Sequence, residues 1–259
     1  MLLTLDAGNT EITVGLFSGD RLSAHWRLTT TANRTPDEWA ATLISLLVQG
    51  GHSTGQVRAA VQASVAPAVT ENLAAGVAQA IGVRPVTVDA GSRLPVRLDV
   101  DEPLTVGADR VVNTLAALNL YGRDTVVVDF GTATTFDCIT ADGRFIGGVI
   151  APGILVASEN LIRRTAKLPG TELLPPGKVI GRRTEDCIRA GVVFGTVDAT
   201  DGIVRRIKAE WPAAGTPLVV ATGGLAGLVA PLSKEIEKTE PHLTLMGLRI
   251  AAHHLGLKW

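Results

Sequence analysis

Leu2-Leu3-Thr4-Leu5-Asp6-Ala7-Gly8-Asn9-Thr10 and Thr125-Val126-Val127-Val128-Asp129-Phe130-Gly131-Thr132-Ala133-Thr134-Thr135 are two versions of one pattern, about half a chain apart. Each is an apolar run of strand length that closes on an Asp, then a Gly, then small hydroxyl or amide residues leading into a second apolar run. That order predicts strand, tight turn, strand. Gly8 and Gly131 let a ligand approach the backbone. The turn N–H groups and the hydroxyls can donate to phosphate oxygens, and the Asp can hold a hydrated Mg²⁺. Two such loops facing each other would grip a nucleoside triphosphate from both sides.

The surrounding elements repeat in the same order. In the first half the pattern predicts strands at Leu2–Leu5, Ile12–Phe17 and Ala24–Leu28, with Ser18-Gly19-Asp20 as a hairpin turn. A helix follows, capped by Thr35, with Pro36 at its first position, Asp37 and Glu38 near its positive end, and Gly50-Gly51 after its last apolar residue, Val48. Strand Arg58–Ala63, helix Pro67–Ile81 and strand Val86–Val88 complete this half. The second half predicts strands at Thr125–Asp129, Ala133–Thr140 and Phe145–Ile150, the last two joined by an Ala141-Asp142-Gly143 turn. Helices at Ile154–Thr165 and Glu185–Glu210, strand Leu218–Val220 and a final helix at Leu243–Leu257 follow, with a Pro/Gly-rich connector over Leu168–Gly181. A helix over Val106–Leu120 would join the halves. An internal duplication of this size predicts an α/β chain of the actin-like, ribonuclease-H-type duplicated fold. Its two mixed-sheet halves, residues 1–114 and 115–259, would flank a nucleotide cleft.

Composition limits the partners. The chain has 259 residues, 46% of them apolar, which is enough for a packed core. A net charge of -1 and the absence of any Lys/Arg-rich run point away from nucleic acid. Met1 runs straight into a strand, and no apolar run approaches membrane-span length, so a cytoplasmic protein is expected. Cys138 and Cys187 are far apart, without CxxC spacing, and read as buried small hydrophobes rather than a zinc site or disulfide.

Several residues could carry chemistry. A strand-end Asp can simply cap its turn. The repetition of Asp6 and Asp129 with the same following pattern favours a ligand role, with Asp6 on the Mg²⁺ side, Asn9 and Thr10 touching phosphate, and Thr132 and Thr134 in the opposite loop. Val106-Gly107-Ala108-Asp109-Arg110 places an acid and a base where a helix begins. Asp109 there either stabilises the helix end or takes a proton from a substrate hydroxyl, with Arg110 holding an anionic group. Gly223-Gly224, between a strand and a helix, either seats an adenine or ribose or forms an ordinary tight turn. Two features are set aside. Pro176-Gly177-Lys178-Val179 lacks the glycine spacing and hydroxyl of a Walker A loop, and His253-His254 has no acid or thiol at metal spacing.

Taken together, these stretches resemble type III pantothenate kinases over nearly the whole chain. The resemblance rests on Asp6–Thr10, Ser64-Val65-Ala66-Pro67, Gly107-Ala108-Asp109-Arg110, Asp129–Asp137, Gly147–Gly153, Thr222-Gly223-Gly224 and Leu243–Leu248 in this order. It implies ATP-dependent phosphorylation of pantothenate to 4′-phosphopantothenate, the first committed step of coenzyme A synthesis. It also implies a homodimer with the acceptor site at the interface. Asp109 would be the general base. Gly107 and Arg110 would contact pantothenate, and Thr184 would reach across from the partner chain. Asp6 would bind Mg²⁺, Asp129 would coordinate K⁺ or NH₄⁺, and Thr132 would meet the nucleotide. The chain departs from the family pattern at Val100-Asp101-Glu102-Pro103, where a Tyr-x-Asn-Pro run is common, which makes Val100 the acceptor-side position. It departs again at Arg189-Ala190, where Gln-Ser is common. The alternatives are a catalytically weak relative with a regulatory or transcription-accessory role, a kinase for another small alcohol, and a phosphatase.

Overall fold

Strand β1 (Leu2–Ala7) is covered on both faces: Leu3 and Leu5 on one and Leu2 and Thr4 on the other have no exposed surface. The computed structural model describes residues 1–259 and divides them into two compact units. The first comprises Met1–Leu120, Gly143–Phe145 and Leu243–Trp259; the second comprises Tyr121–Asp142 and Ile146–His242.

In the first unit β1 pairs antiparallel with β2 (Glu11–Ser18), which pairs antiparallel with β3 (Arg21–Thr29). Gly19, at φ +57, makes the turn between β2 and β3 where the sequence predicts it. After helix α1 (Pro36–Gln49), strand β4 (Ala59–Ser64) returns parallel to β1. After helix α2 (Pro67–Ile81), β5 (Val86–Val88) adds in parallel, giving the sheet order β3-β2-β1-β4-β5. Helix α1 starts as predicted. Thr35 accepts from the Glu38 N–H at 3.3 Å, and the Glu38 carboxylate accepts from the Thr35 N–H at 2.8 Å. Helices α1 and α2 approach closely because α2 carries Gly76. A Cβ there would lie 2.5 Å from Trp39 Cβ and 2.8 Å from the Pro36 carbonyl.

The two faces of β1 enter different cores. Leu3, Leu5 and Ala7 pack with Trp39, Leu43 and Leu73 of α1 and α2, whereas Leu2 packs with residues of two later helices. These are α3 (Ala108–Tyr121) and α7 (Leu243–His254). Helix α7 lies against the sheet so tightly that a Cβ on Gly15 would meet Leu245 Cδ1 at 3.0 Å. The Thr244 hydroxyl also donates to Asn113 Oδ1 at 2.9 Å.

A two-residue strand absent from the sequence reading, β6 (Arg97–Leu98), pairs with Arg144 and Phe145 of the first unit. In the second unit β7 (Thr125–Phe130) pairs antiparallel with β8 (Ala133–Ile139), the next strand in the sheet being β9 (Arg144–Pro152). Helices α4 (Ile154–Arg164) and α5 (Thr184–Ala209) follow. Strand β10 (Leu218–Thr222) then pairs parallel to β7, helix α6 (Ala226–Val229) forms one turn, and β11 (Lys238–Thr239) pairs parallel to β10. Val126, Val128 and Phe130 face a core with Val193, Val197 and Val204 of α5, just as Leu3, Leu5 and Ala7 face theirs.

One expectation is corrected. Cys138 is buried, but Cys187 is exposed, because α5 turns that position to solvent while Ile188 and Ala190 face inward. No helix is long and apolar enough to cross a membrane.

Candidate active site

Each strand that carries a pattern aspartate continues one residue beyond it: Asp6 is the penultimate residue of β1 and Asp129 of β7. Pairing is equivalent on both sides. Asp6 lies opposite Thr13 and Ala63, and Asp129 opposite Thr135 and Thr222. The turns differ by one residue, since Ala7 pairs with Ile12 whereas Phe130 pairs with Thr134.

The first turn is tied down at its base and open at its tip. The Gly8 N–H donates to the Glu11 carbonyl at 3.0 Å, and the Gly8 carbonyl accepts from the Thr30 hydroxyl at 2.7 Å. A Cβ on Gly8 would be 3.0 Å from that Glu11 oxygen, tighter than ordinary contact. Asn9 and Thr10 are left exposed.

The second turn, one residue shorter, is likewise tied at its base and open at its tip. The Gly131 N–H donates to the Ala133 carbonyl at 3.1 Å, and Gly131 and Thr132 are exposed. Thr134 lies in β8, buried, with no hydrogen-bond partner for its hydroxyl. Of the two threonines assigned to this loop, only Thr132 is therefore at the surface. The Asp129 carboxylate is backed by Gly223, whose φ is +90 and whose Cβ, if present, would strike Asp129 Oδ1 and lie 2.7 Å from the Phe130 N. Gly224 is exposed beside it, leading into the single turn of α6.

Asp109 lies in the first turn of α3, partly buried. Its Oδ1 accepts the Arg110 N–H at 2.8 Å. Burial raises the Asp109 carboxyl above its ordinary value, while the hydrogen bond and the charge of Arg110 oppose the rise. The result is a carboxylate whose proton affinity is increased in the direction a general base needs. Gly107 makes room for it: a Cβ at 107 would lie 2.5 Å from Asp109 Oδ1. The Arg110 guanidinium stacks over Phe145, 4.8 Å from the ring centroid. The Phe145 carbonyl accepts the Asp99 N–H at 2.8 Å, so the segment bearing Val100 is fixed beside the residue under Arg110.

Two residues without an assigned role in the sequence reading hold this geometry. The Val65 N–H donates to the Ala7 carbonyl at 3.0 Å, and Val65 Cγ1 stands 3.4 Å from where a Gly107 Cβ would be. Val65 thereby connects the strand of Asp6 to the turn before Asp109. Gly153 closes on the other loop. Its N–H donates to the Thr132 carbonyl at 3.2 Å, and a Cβ there would collide with that carbonyl and come within 2.5 Å of the Gly131 carbonyl. The signal for both was the strings in which they occur, Ser64-Val65-Ala66-Pro67 and Ala151-Pro152-Gly153. Thr184 is exposed as the first residue of α5. His253 and His254 are exposed at the end of α7.

No group of three or more His, Cys, Asp or Glu residues could hold a metal in a cage of protein ligands. A single carboxylate such as that of Asp6 suits Mg²⁺ instead, which takes one or two carboxylates and completes its octahedron with water and phosphate oxygens.

A sequence model described as type III pantothenate kinase matches residues 2–206. The chain belongs to the type III pantothenate kinase family. Family membership makes it a kinase of coenzyme A biosynthesis, using ATP with a divalent metal. It is 42% identical over 250 residues to the type III pantothenate kinase of Moorella thermoacetica, an alignment covering 96% of this chain and 98% of the relative. Among solved structures it resembles a conserved Campylobacter jejuni protein assigned to the Baf family of transcriptional activators, with a TM-score of 0.61, 17% identity and 98% of both chains covered. A Sinorhizobium meliloti protein assigned as a 2-dehydro-3-deoxygalactonokinase gives a TM-score of 0.58 at 13% identity, covering 100% of this chain and 98% of the other. At these identities the likeness shows the fold alone, which is the actin-like one that sugar kinases share.

Proposed function

We propose that this chain phosphorylates the primary hydroxyl of pantothenate with ATP, with Asp109 as the general base. The observation that carries the reading is the Asp109 carboxylate itself: partly buried, its proton affinity raised, and given clearance by Gly107. The hydroxyl oxygen attacks the γ-phosphorus and its proton passes to Asp109. The new O–P bond forms as the bond to the β-phosphate oxygen breaks, and ADP leaves with that electron pair. An alcohol is a poor nucleophile at neutral pH, so positioning and charge stabilisation dominate the catalysis. Arg110 holds the acceptor's carboxylate, with Gly107 and Val100 beside it. Asn9, Thr10 and the Gly8 backbone take phosphate oxygens on one loop, as Thr132 and Gly131 do on the other. Thr134 supports that loop from within β8, and Gly223 and Gly224 seat the nucleoside. Asp6 would hold the Mg²⁺, which neutralises phosphate charge, and Asp129 a K⁺ or NH₄⁺.

We also assign the chain a homodimeric state in the cytoplasm, with Thr184 reaching the partner's acceptor site. Ile150, Leu155, Leu161, Val179 and Ile180 support a dimer, because they leave apolar surface exposed, 65% and 85% of it at Ile150 and Ile180. The Val100-Asp101-Glu102-Pro103 segment favours a second reading, a related alcohol as acceptor, since it changes the acceptor side and leaves both phosphate loops intact.

The test is ADP release with ATP and Mg²⁺, with and without pantothenate, in K⁺ and in Na⁺ buffer. Pantothenate-dependent turnover that requires K⁺ is expected. A folded protein that turns over only with another alcohol would establish the second reading, and turnover equal in both buffers would remove the cation role of Asp129.

A further inference from the structure

The amino ends of β1 and β4 and the β2–β3 turn border an open cavity of about 620 Å³, lined by Met1, Ser18, Arg21, Ser23, His52, Gly55, Gln56 and Arg58. Its lining includes two guanidiniums and an imidazole, and no carboxylate. The acid next in sequence to Arg21, Asp20, is engaged by Arg249. The Ser23 hydroxyl in the lining is buried and has no hydrogen-bond partner. Unpartnered buried hydroxyls are uncommon and ask for an explanation. Two guanidiniums on one hollow with no acid in its lining favour an anion there.

We propose that this cavity binds a phosphate dianion, either inorganic phosphate or the phosphate of a small phosphomonoester. Arg21 and Arg58 supply the forked donors that match phosphate oxygens, Ser18 supplies a hydroxyl, and Ser23 supplies a second by rotating out of its covered position. The volume lies within the roughly 300–1,000 Å³ of small-molecule sites and exceeds what a bare phosphate fills, which leaves room for an organic body on the ester. The site is separate from the kinase centre. It lies at the start of β1, and Asp6 lies near the strand's other end, about 17 Å away at the usual rise per residue.

The full-length protein would be titrated by thermal shift with inorganic phosphate and, separately, glycerol phosphate, at ionic strength held constant with NaCl. The Arg21→Ala, Arg58→Ala double variant and Ser23→Ala would be run alongside. Saturable stabilisation of the wild type is expected, weakened at least tenfold in the double variant and several-fold in Ser23→Ala. The kinase centre contributes equally to all three proteins, so only the difference between them reports this cavity. Tighter binding of glycerol phosphate assigns the phosphomonoester, and tighter binding of phosphate assigns the free ion. Equal titration of wild type and double variant overturns the proposal, as does a wild-type response to ionic strength alone. If the alanine pair does not fold, Arg21→Lys with Arg58→Lys keeps the charge and removes the fork; unchanged affinity there overturns it equally.

Discussion

Replacing Gly107 by Ala adds one methyl group directly against the carboxylate proposed to do the chemistry. Gly107 does not have a positive φ, so alanine brings no backbone strain and the whole effect is contact. The new Cβ would lie 2.5 Å from Asp109 Oδ1, about 0.9 Å inside the 3.4 Å at which contact becomes ordinary. Val65 Cγ1, at 3.4 Å, already touches the methyl, so the carboxylate must give way. Rotating Asp109 by that amount also weakens its hydrogen bond from the Arg110 N–H. A misplacement near 1 Å costs on the order of 10²-fold in rate, or about 2.7 kcal/mol of barrier. The Gly107→Ala variant is therefore expected to lose about 10²-fold in kcat, with a far smaller change in the KM for ATP. Steady-state ADP release together with a thermal melt measures this. A variant with wild-type kcat and KM for pantothenate would refute the claim that the carboxylate's position at this turn governs turnover.

Asp109→Asn is expected to lose roughly 10²–10⁴-fold in kcat and to melt no lower than wild type at neutral pH. The sign follows from burial, which lifts the folded carboxyl above its ordinary 3.8. Between that value and the raised one, the folded chain keeps a proton that the unfolded chain has released, so stability falls as pH rises through this window. Above it the wild type carries a buried charge that the amide lacks. For the same reason the acid limb of the wild-type kcat/KM profile should lie above 3.8; a lower melting temperature with intact rate would contradict both statements. Gly223→Ala combines a φ of +90 with a Cβ pressed on the Asp129 carboxylate and the Phe130 N, and should cost about 2 kcal/mol or more along with most K⁺-dependent turnover. Denaturant melts and assays in both cations would show it, and wild-type behaviour would mean that the loop relaxes freely. Thr35→Ala, which removes the reciprocal cap of α1, should cost about 1 kcal/mol with kinetics unchanged; a kinetic effect would imply that α1 reaches the site.

The strands and long helices were legible because their signals are local. The Thr35 cap, the Gly19 turn and the leucine-rich run of β1 each act within a few residues. The aspartate-bearing turns were legible because they occur twice. What was not legible depends on partners distant in sequence. Strand β6 has two residues and exists because Arg144 and Phe145 offer it an edge. The exposure of Cys187 depends on which face of α5 is turned inward, and that amphipathic signal is spread thinly over a long helix. Within the site, Asp109 and Gly107 could be named from sequence, but the reason for glycine at 107 is a side chain two residues on, folded back over it. Thr134 reads as a loop hydroxyl, yet the turn after β7 is one residue shorter than its counterpart and draws Thr134 into β8.

Helix α7 gives the first unit a particular history on the ribosome. Leu245, Leu248, Ala251 and Ala252 share a core with Leu2, Val61, Val112 and Leu115, and Gly247 lies so close to Val112 that any side chain would collide with its carbonyl. Strand β1 is thus sealed by a helix made more than 230 residues later. At about 5–20 residues per second, the N-terminal sheet waits roughly 6 to 24 seconds for its final wall, while Tyr121–His242 is translated in between. During that interval Leu2, Phe17, Val61 and Ala63 lack the cover that α7 gives them. Nascent chains of this protein should accordingly be chaperone clients until residues 243–259 have been made, and trimming those residues would remove interior.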